Sequence, residues 1–105
     1  MSNEERLLRH VVLFSFVDDT PEEKLREIEA AFAALPGKID AIYDFEWGTD
    51  VSVEGIAQGY THCFFVTFRS EADRALYLPH PDHKAFGTLI RPHVENVLVL
   101  DYWAQ

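Results

Sequence analysis

The sequence predicts an α+β fold in which two helices pack on one face of an antiparallel sheet. Four stretches show the period-two alternation of strands, and two show the 3.6-residue spacing of amphipathic helices. Their order is strand, helix, strand, strand, helix, strand, which is the split βαβ pattern of a ferredoxin-like βαββαβ sandwich. At 105 residues, 48% of them hydrophobic, residues 1–105 are expected to form a single globular domain.

The first strand is predicted over residues 7–17, because its side chains alternate between two faces. One face carries His10 and Val12, and the other carries Val11 and Leu13. Both faces are mostly apolar, so both are expected to be covered.

The first helix is predicted to begin at Thr20-Pro21-Glu22-Glu23, with Thr20 as the N-cap. Apolar side chains then recur at helical spacing and form one stripe that ends before Pro36: Leu25, Ile28, Phe32 and Leu35. Acidic side chains of the same helix are interpreted as a solvated face: Glu22, Glu23, Glu27 and Glu29.

The second half of the chain completes the pattern. Further strands are predicted over residues 39–51, 60–68 and 94–102. Helical segments are predicted over residues 70–77 and 81–90.

Two helices can cover only one face of the predicted sheet. The other face would expose an apolar patch that is unusually large for a monomer: Val11, Leu13, Cys63, Phe65, Leu98, Leu100 and Tyr102. We therefore expect a homodimer through this outer sheet face, which would close a dimeric α/β barrel across the interface.

Charge and composition exclude several classes of partner. The net charge of −9 argues against nucleic acid and anionic membranes, because those surfaces select clustered Lys and Arg. No long apolar run predicts a membrane span, and the acidic start does not resemble a signal peptide. A cytoplasmic location is expected. The single cysteine, Cys63, allows no internal disulfide and is interpreted as a small apolar core residue.

The segment from Tyr77 to Gly87 carries the strongest indication of chemistry, because a phenol and two imidazoles lie close together in sequence. A neutral His83 beside an apolar cavity would remove a proton from a carbon flanked by carbonyl groups. The Tyr77 hydroxyl would donate to the resulting enolate, and no cofactor would be required. The alternative is structural: His83 caps a helix or satisfies a buried carbonyl.

A metal site is a weaker hypothesis for the same segment. His80 and His83 are three residues apart with Asp82 between them, but Pro81 interrupts a regular helix there. No cluster of Cys or Glu stands nearby to complete a coordination shell. We predict no metal, and His80 is interpreted as a hydrogen-bonding loop residue.

His10 and Asp101 form a second candidate pair. The first and last strands are antiparallel neighbours in a ferredoxin-like sheet, so the start of one lies beside the end of the other. The carboxylate would then orient a histidine, either His10 or His83. The alternative is a buried polar pair whose hydrogen bonds are simply satisfied.

Several motifs together resemble the stress-responsive α/β-barrel (Dabb) family, from about residue 9 to residue 102. They are His10-Val11-Val12-Leu13-Phe14, Trp47-Gly48-Thr49-Asp50-Val51, Gly59-Tyr60-Thr61-His62, Val66-Thr67-Phe68 and Tyr77-Leu78-Pro79-His80-Pro81-Asp82-His83. The resemblance implies a dimeric α+β barrel. Family members include heat-stable plant proteins with no clear chemistry, a plant polyketide cyclase and plant hydroxynitrile lyases.

The resemblance to the polyketide cyclase implies roles for individual residues. It places that enzyme's catalytic tyrosine and histidine on Tyr77 and His83, and positions of its pocket on His10, His62, Phe86 and Asp101. The sequence departs from the cyclase at Ile28 and Glu29, where the enzyme has adjacent aromatics, and at Ala85. The substrate therefore cannot be transferred from the cyclase.

The leading hypothesis is cofactor-independent acid/base catalysis, or binding, on a small aromatic or polyketide-like molecule. Tyr77 and His83 are the predicted catalytic residues. The predicted substrate-binding residues are His10, Val12, Phe14, His62, Phe64, Leu78, Phe86, Val99 and Asp101. The alternatives are a non-enzymatic stress or stability protein with a vestigial pocket, and a metal-binding variant. A pocket filled by phenylalanines would favour the non-enzymatic reading.

Overall fold

The structure, a computed structural model, describes residues 6–105. The strands are β1 (Leu8–Phe16), β2 (Asp44–Thr49), β3 (His62–Phe68) and β4 (Val94–Trp103). The helices are α1 (Glu22–Ala33), α2 (Glu71–Tyr77) and α3 (Pro81–Ile90). Single 3-10 turns follow α1 at Leu35–Gly37 and α3 at Arg91–His93.

The four strands form one antiparallel sheet in the order β2-β3-β1-β4. In this register His10 of β1 lies opposite Asp101 of β4 on one side and Val66 of β3 on the other. A bulge at Ser15/Phe16 interrupts the pairing of β1 with β4. The predicted ferredoxin-like fold is confirmed, and the pairing of the first and last strands brings His10 and Asp101 together.

Helix α1 begins one residue later than the capping motif predicted. Pro21 occupies the N-cap, and the Thr20 hydroxyl donates to the carbonyl of Val17 instead of capping the helix. The prediction of a Thr20 cap was therefore wrong.

The break between α2 and α3 falls at the prolines, as their geometry requires. His80 is the N-cap of α3, with its Nδ1 accepting from the backbone N–H of Asp82 at 3.1 Å, and Pro81 follows at the first helical position. Helix α2 has its own cap, because the hydroxyl of Ser70 accepts from the N–H of Asp73. The two short helices therefore meet at a fixed turn.

The core lies between the helices and the inner face of the sheet. Phe32 of α1 stacks on Phe64 of β3 with ring centroids 4.2 Å apart, and this pair fills the centre. The outer face has no cover within one chain: Leu98, Leu100 and Tyr102 are 41%, 58% and 43% exposed. Within residues 6–105, no helix has the length and apolar character needed to cross a membrane.

Candidate active site

A cavity of about 600 Å³ lies between the inner face of β1 and β4 and the cover formed by α2 and α3. This volume is within the usual range for small-molecule sites, about 300–1,000 Å³. Its walls include Tyr77 and His83 together with the predicted residues His10, Val12, Phe14, Leu78, Phe86, Val99 and Asp101. Further lining comes from Phe32, Gly87, Ile90, Arg91, Val94 and Val97, which the sequence did not indicate as pocket residues.

Two predicted substrate-binding residues do not line this cavity. Phe64 lies beneath the ring of Phe32, which separates it from the space. The side chain of His62 is directed towards α1, where its Nε2 donates to the carboxylate of Glu29 at 2.8 Å. Both residues are on the predicted inner face, but β3 lies under α1 while the cavity lies over β1 and β4. Their predicted placement in the cavity is therefore corrected.

Glu29 also differs from expectation, because it is buried and not part of a solvated face. It is 5% exposed and contacts both His62 and, at 3.2 Å, the guanidinium of Arg26. The hydroxyl of Thr61 lies 2.8 Å from the other ring nitrogen of His62. These contacts hold His62 in a buried polar cluster, separate from the cavity.

The phenol of Tyr77 is packed against the imidazole of His83. Their ring centroids are 4.3 Å apart with an angle of 40° between the planes. Tyr77 is the last residue of α2 and His83 is the third residue of α3, so the capped turn between the helices sets their separation. On its other side Tyr77 contacts the ring of His10, at 5.9 Å between centroids.

The hydroxyl of Tyr77 is buried and makes no hydrogen bond to any residue between 6 and 105. Leaving a buried donor unsatisfied costs about 1–3 kcal/mol, so such a group calls for an explanation. Burial also raises the pKa of Tyr77 well above its ordinary value, which keeps the phenol protonated. Tyr77 lines the cavity and therefore carries a permanent hydrogen-bond donor that has no partner among residues 6–105.

The tautomer of His83 follows from one hydrogen bond. Its Nδ1 lies 2.9 Å from the carbonyl oxygen of Leu78, and because a carbonyl can only accept, Nδ1 carries the hydrogen. The structural role considered for His83, satisfying a carbonyl, is thus present, but it uses only one ring nitrogen. In the neutral ring Nε2 keeps its lone pair and is the basic atom.

Burial lowers the pKa of His83, and the nearby imidazoles of His10 and His80 act in the same direction. The hydrogen bond to the carbonyl of Leu78 opposes this effect but does not outweigh it. His83 is therefore neutral at physiological pH, with a free lone pair on a ring that lines the cavity.

His10 and Asp101 are joined as the strand register predicts. His10 Nδ1 donates to Asp101 Oδ1 at 2.7 Å, and the guanidinium of Arg74 donates to Asp101 Oδ2 at 2.8 Å. Both carboxylate oxygens are thus satisfied, and the imidazole of His10 is held in one orientation. Arg74 was not identified from the sequence, since a helix residue 27 positions before Asp101 gives no local pattern.

The segment around His80 is arranged as a helix cap. Because Nδ1 of His80 accepts from the N–H of Asp82, that nitrogen is occupied by the backbone. Within the described residues, 6–105, no group of three or more His, Cys, Asp or Glu side chains is placed to hold a metal ion.

Comparison with known proteins identifies the family. The family model described as the Stress responsive A/B Barrel Domain, Dabb, matches residues 8–104. The chain belongs to the Dabb family. The resemblance carried by the His10-Val11-Val12-Leu13-Phe14 and Tyr77-to-His83 motifs is therefore confirmed.

Two curated Dabb relatives are similar over most of the chain. Stress-response A/B barrel domain-containing protein HS1 of Arabidopsis thaliana is 42% identical over 95 residues, which cover 90% of this chain and 87% of that protein. Olivetolic acid cyclase of Cannabis sativa is 34% identical over 95 residues, which cover 90% of this chain and 94% of the cyclase.

Solved structures of the same fold include an enzyme and a dimer. The hydroxynitrile lyase of Passiflora edulis superimposes with a TM-score of 0.88 at 28% identity, covering 94% of both chains. A dimeric protein with a ferredoxin-like fold from Bacteroides fragilis gives a TM-score of 0.75 at 27% identity, covering 93% of this chain and 96% of that one.

Proposed function

We propose that the protein is a cofactor-independent acid/base enzyme acting on a small aromatic or polyketide-like molecule. His83 is the general base and Tyr77 donates a hydrogen bond to the developing oxyanion. The observation that carries this proposal is the unpartnered hydroxyl of Tyr77, packed 4.3 Å from the His83 ring beside a cavity of about 600 Å³.

The chemistry follows from the two side chains. Nε2 of His83 takes a proton from a carbon next to a carbonyl group, and the electron pair of the broken C–H bond moves onto the carbonyl oxygen. The O–H of Tyr77 then donates to that oxygen without being transferred, because its raised pKa keeps the phenol protonated. The imidazolium formed is stabilised through Nδ1–H by the carbonyl of Leu78, and its lowered pKa favours return of the proton in a later step.

Similarity to a cyclase and to a hydroxynitrile lyase supports a cyclase- or lyase-type reaction. The walls of the cavity are mainly apolar, which suits an aromatic ring or an acyl chain: Val12, Phe14, Phe32, Phe86, Ile90, Val97 and Val99. His10 is the third polar group of the site, and its bond to Asp101 supports a positioning role towards the same substrate.

The working form is proposed to be a homodimer through the outer sheet face. Leu98, Leu100 and Tyr102 are exposed there in one chain, and burying them would remove a large apolar patch from water. The dimeric Bacteroides fragilis relative supports this assembly. The proposed interface lies on the opposite side of the sheet from Tyr77 and His83, so each protomer keeps its own cavity.

A non-enzymatic role in stress response is the second candidate. The observation in its favour is the 42% identity to protein HS1, which is higher than the 34% identity to the cyclase. An open cavity of about 600 Å³ argues against a vestigial pocket filled by phenylalanines.

Turnover by the wild-type dimer distinguishes the two candidates. The protein is incubated with a panel of linear polyketides and cyanohydrins, and products are separated and identified by mass spectrometry. We expect conversion above the uncatalysed background for at least one substrate. Absence of conversion across both substrate classes would contradict the enzymatic proposal and support the stress-response role.

A further inference from the structure

We propose that Arg91 binds a substrate carboxylate, and that the substrate is an apolar acid whose carboxylate lies about one helical turn from the reacting carbon. This inference rests on the proposed function, since it defines the substrate class of the same cavity. It assigns a specificity role to a residue that takes no part in the proton transfer.

The geometry of α3 places the cation beside the base. His83 and Gly87 are four residues apart and line the same cavity, so they are separated by about 6 Å along the helix. A Cβ atom at Gly87 would lie 3.9 Å from Nη2 of Arg91, which shows that the guanidinium folds back over Gly87. The charged end of Arg91 is therefore at the cavity rim, about one turn from His83.

The charge of Arg91 is unpaired within the described part of the chain. Among residues 6–105, the ion pairs of the other arginines involve Arg26 and Arg74, and no carboxylate pairs with Arg91. Arg6, Arg9 and Arg69 also lack an ion pair within these residues, so Arg91 is distinguished by its position: it is exposed and lines the cavity, which the other three arginines do not. An unpaired guanidinium beside an apolar space favours an anionic ligand group.

The one carboxylate in the cavity wall does not oppose such a ligand. Asp101 has Oδ1 bonded to His10 and Oδ2 bonded to Arg74, so its charge is compensated. The remaining walls near Arg91 are apolar, from Ile90 and Val97. An acid with an apolar body would therefore place its charge at Arg91 and its body along these side chains.

A carboxylate fits the site better than a phosphate. The planar guanidinium offers two parallel N–H donors that match the two oxygens of one carboxylate. Of the residues that line the cavity, Arg91 alone is permanently cationic, whereas a phosphate carries up to two charges and is usually held by several donors.

Binding of a matched pair of probes tests this inference. The probes are 4-hexylbenzoate and its neutral analogue 4-hexylbenzamide, titrated calorimetrically into the wild-type protein, into Arg91→Gln and into Arg91→Lys. Arg69→Gln is the matched control, because its guanidinium lies over the ring of Tyr43, 4.5 Å from the centroid, and does not line the cavity.

We expect the wild type to bind the benzoate about ten-fold or more tightly than the benzamide, as a charge-assisted hydrogen bond would give. Arg91→Gln should remove this preference while leaving benzamide binding unchanged, Arg91→Lys should keep part of it, and Arg69→Gln should keep all of it. Equal affinity of the wild type for both probes, or an unchanged preference in Arg91→Gln, would overturn the inference and leave the proposed function standing. Binding of neither probe would also overturn the inference, whereas the proposed function is overturned only by absence of conversion in the turnover assay.

Discussion

The rings of Tyr77 and His83 lie 4.3 Å apart between centroids, although the two residues belong to different helices. The turn between the helices fixes this contact, since His80 caps α3 and Pro81 starts it. The hydroxyl of Tyr77 gains no hydrogen bond from this arrangement. A buried hydroxyl without a partner calls for an explanation, and a substrate oxygen is the partner that we propose.

Tyr77→Phe should lower turnover without lowering the stability of the fold. The change removes the oxyanion donor, so we expect turnover to fall by about 10²–10³. It also removes a buried hydroxyl with no partner, so the free energy of unfolding should stay the same or rise, by up to about 1–3 kcal/mol. Steady-state kinetics and urea unfolding measure the two effects. A loss of stability together with the loss of turnover would show that the hydroxyl has a structural partner.

Glu29→Ala should destabilise the fold without changing the lining of the cavity. The change leaves the ring N–H of His62 buried and without an acceptor, which costs about 1–3 kcal/mol in unfolding free energy. Glu27→Ala is the matched control on the same helix: its carboxylate is exposed and pairs with Lys24, so the expected change is within about 0.5 kcal/mol. Equal effects of the two substitutions in urea unfolding would show that the Glu29–His62 contact contributes nothing.

The pH profile of kcat/KM should report the neutral form of His83. The base works only when unprotonated, and burial lowers its pKa, so activity should persist below the ordinary histidine value of 6.5 before it falls with acid. The raised pKa of Tyr77 predicts no alkaline loss up to about pH 10, the ordinary value for tyrosine. An acid limb with its midpoint above 6.5 would contradict the assignment of His83 as a partly buried, neutral base.

Leu100→Asp should disrupt the proposed dimer. Leu100 is 58% exposed in one chain and lies on the apolar outer face, on the edge strand β4, so a carboxylate there would be desolvated by the partner. Sedimentation at micromolar concentration should show a dimer for the wild type and a monomer for the variant. Leu76→Asp is the control, because Leu76 is 63% exposed on α2, away from this face. A wild-type monomer, or a dimer that survives Leu100→Asp, would exclude the interface.

Local patterns were sufficient for the order of the elements and for the faces of the strands, but not for every boundary, since β2 spans Asp44–Thr49 and not residues 39–51. Alternation placed His10 and Val12 on the inner side, and the prolines located the break between α2 and α3. Alternation predicts which face of the sheet a residue occupies, but not which helix covers its strand. It therefore cannot predict whether that residue lines the cavity. His62 shares the inner face, but it belongs to β3, which α1 covers.

Side-chain contacts between different helices and strands could not be predicted from the periodicity of the sequence. Glu29 is four residues after Leu25 and three before Phe32, which places it at the edge of the apolar stripe of α1. That spacing was the available signal for its burial. The contacts of Arg74 with Asp101 and of Arg91 with Gly87 depend on side-chain conformations, which sequence periodicity does not specify.

The central claim, that His83 is the base, is tested most directly by the kcat of His83→Ala on a substrate that the wild type converts. His80→Ala is the matched control, because His80 is a neighbouring imidazole that caps α3 and does not line the cavity. With folding verified by circular dichroism, we expect His83→Ala to lower kcat by about 10²–10⁴. His80→Ala should cost about 1 kcal/mol of stability and lower kcat much less than His83→Ala, because it weakens the turn that positions His83 but leaves the base in place. A folded His83→Ala protein with undiminished kcat would contradict the account.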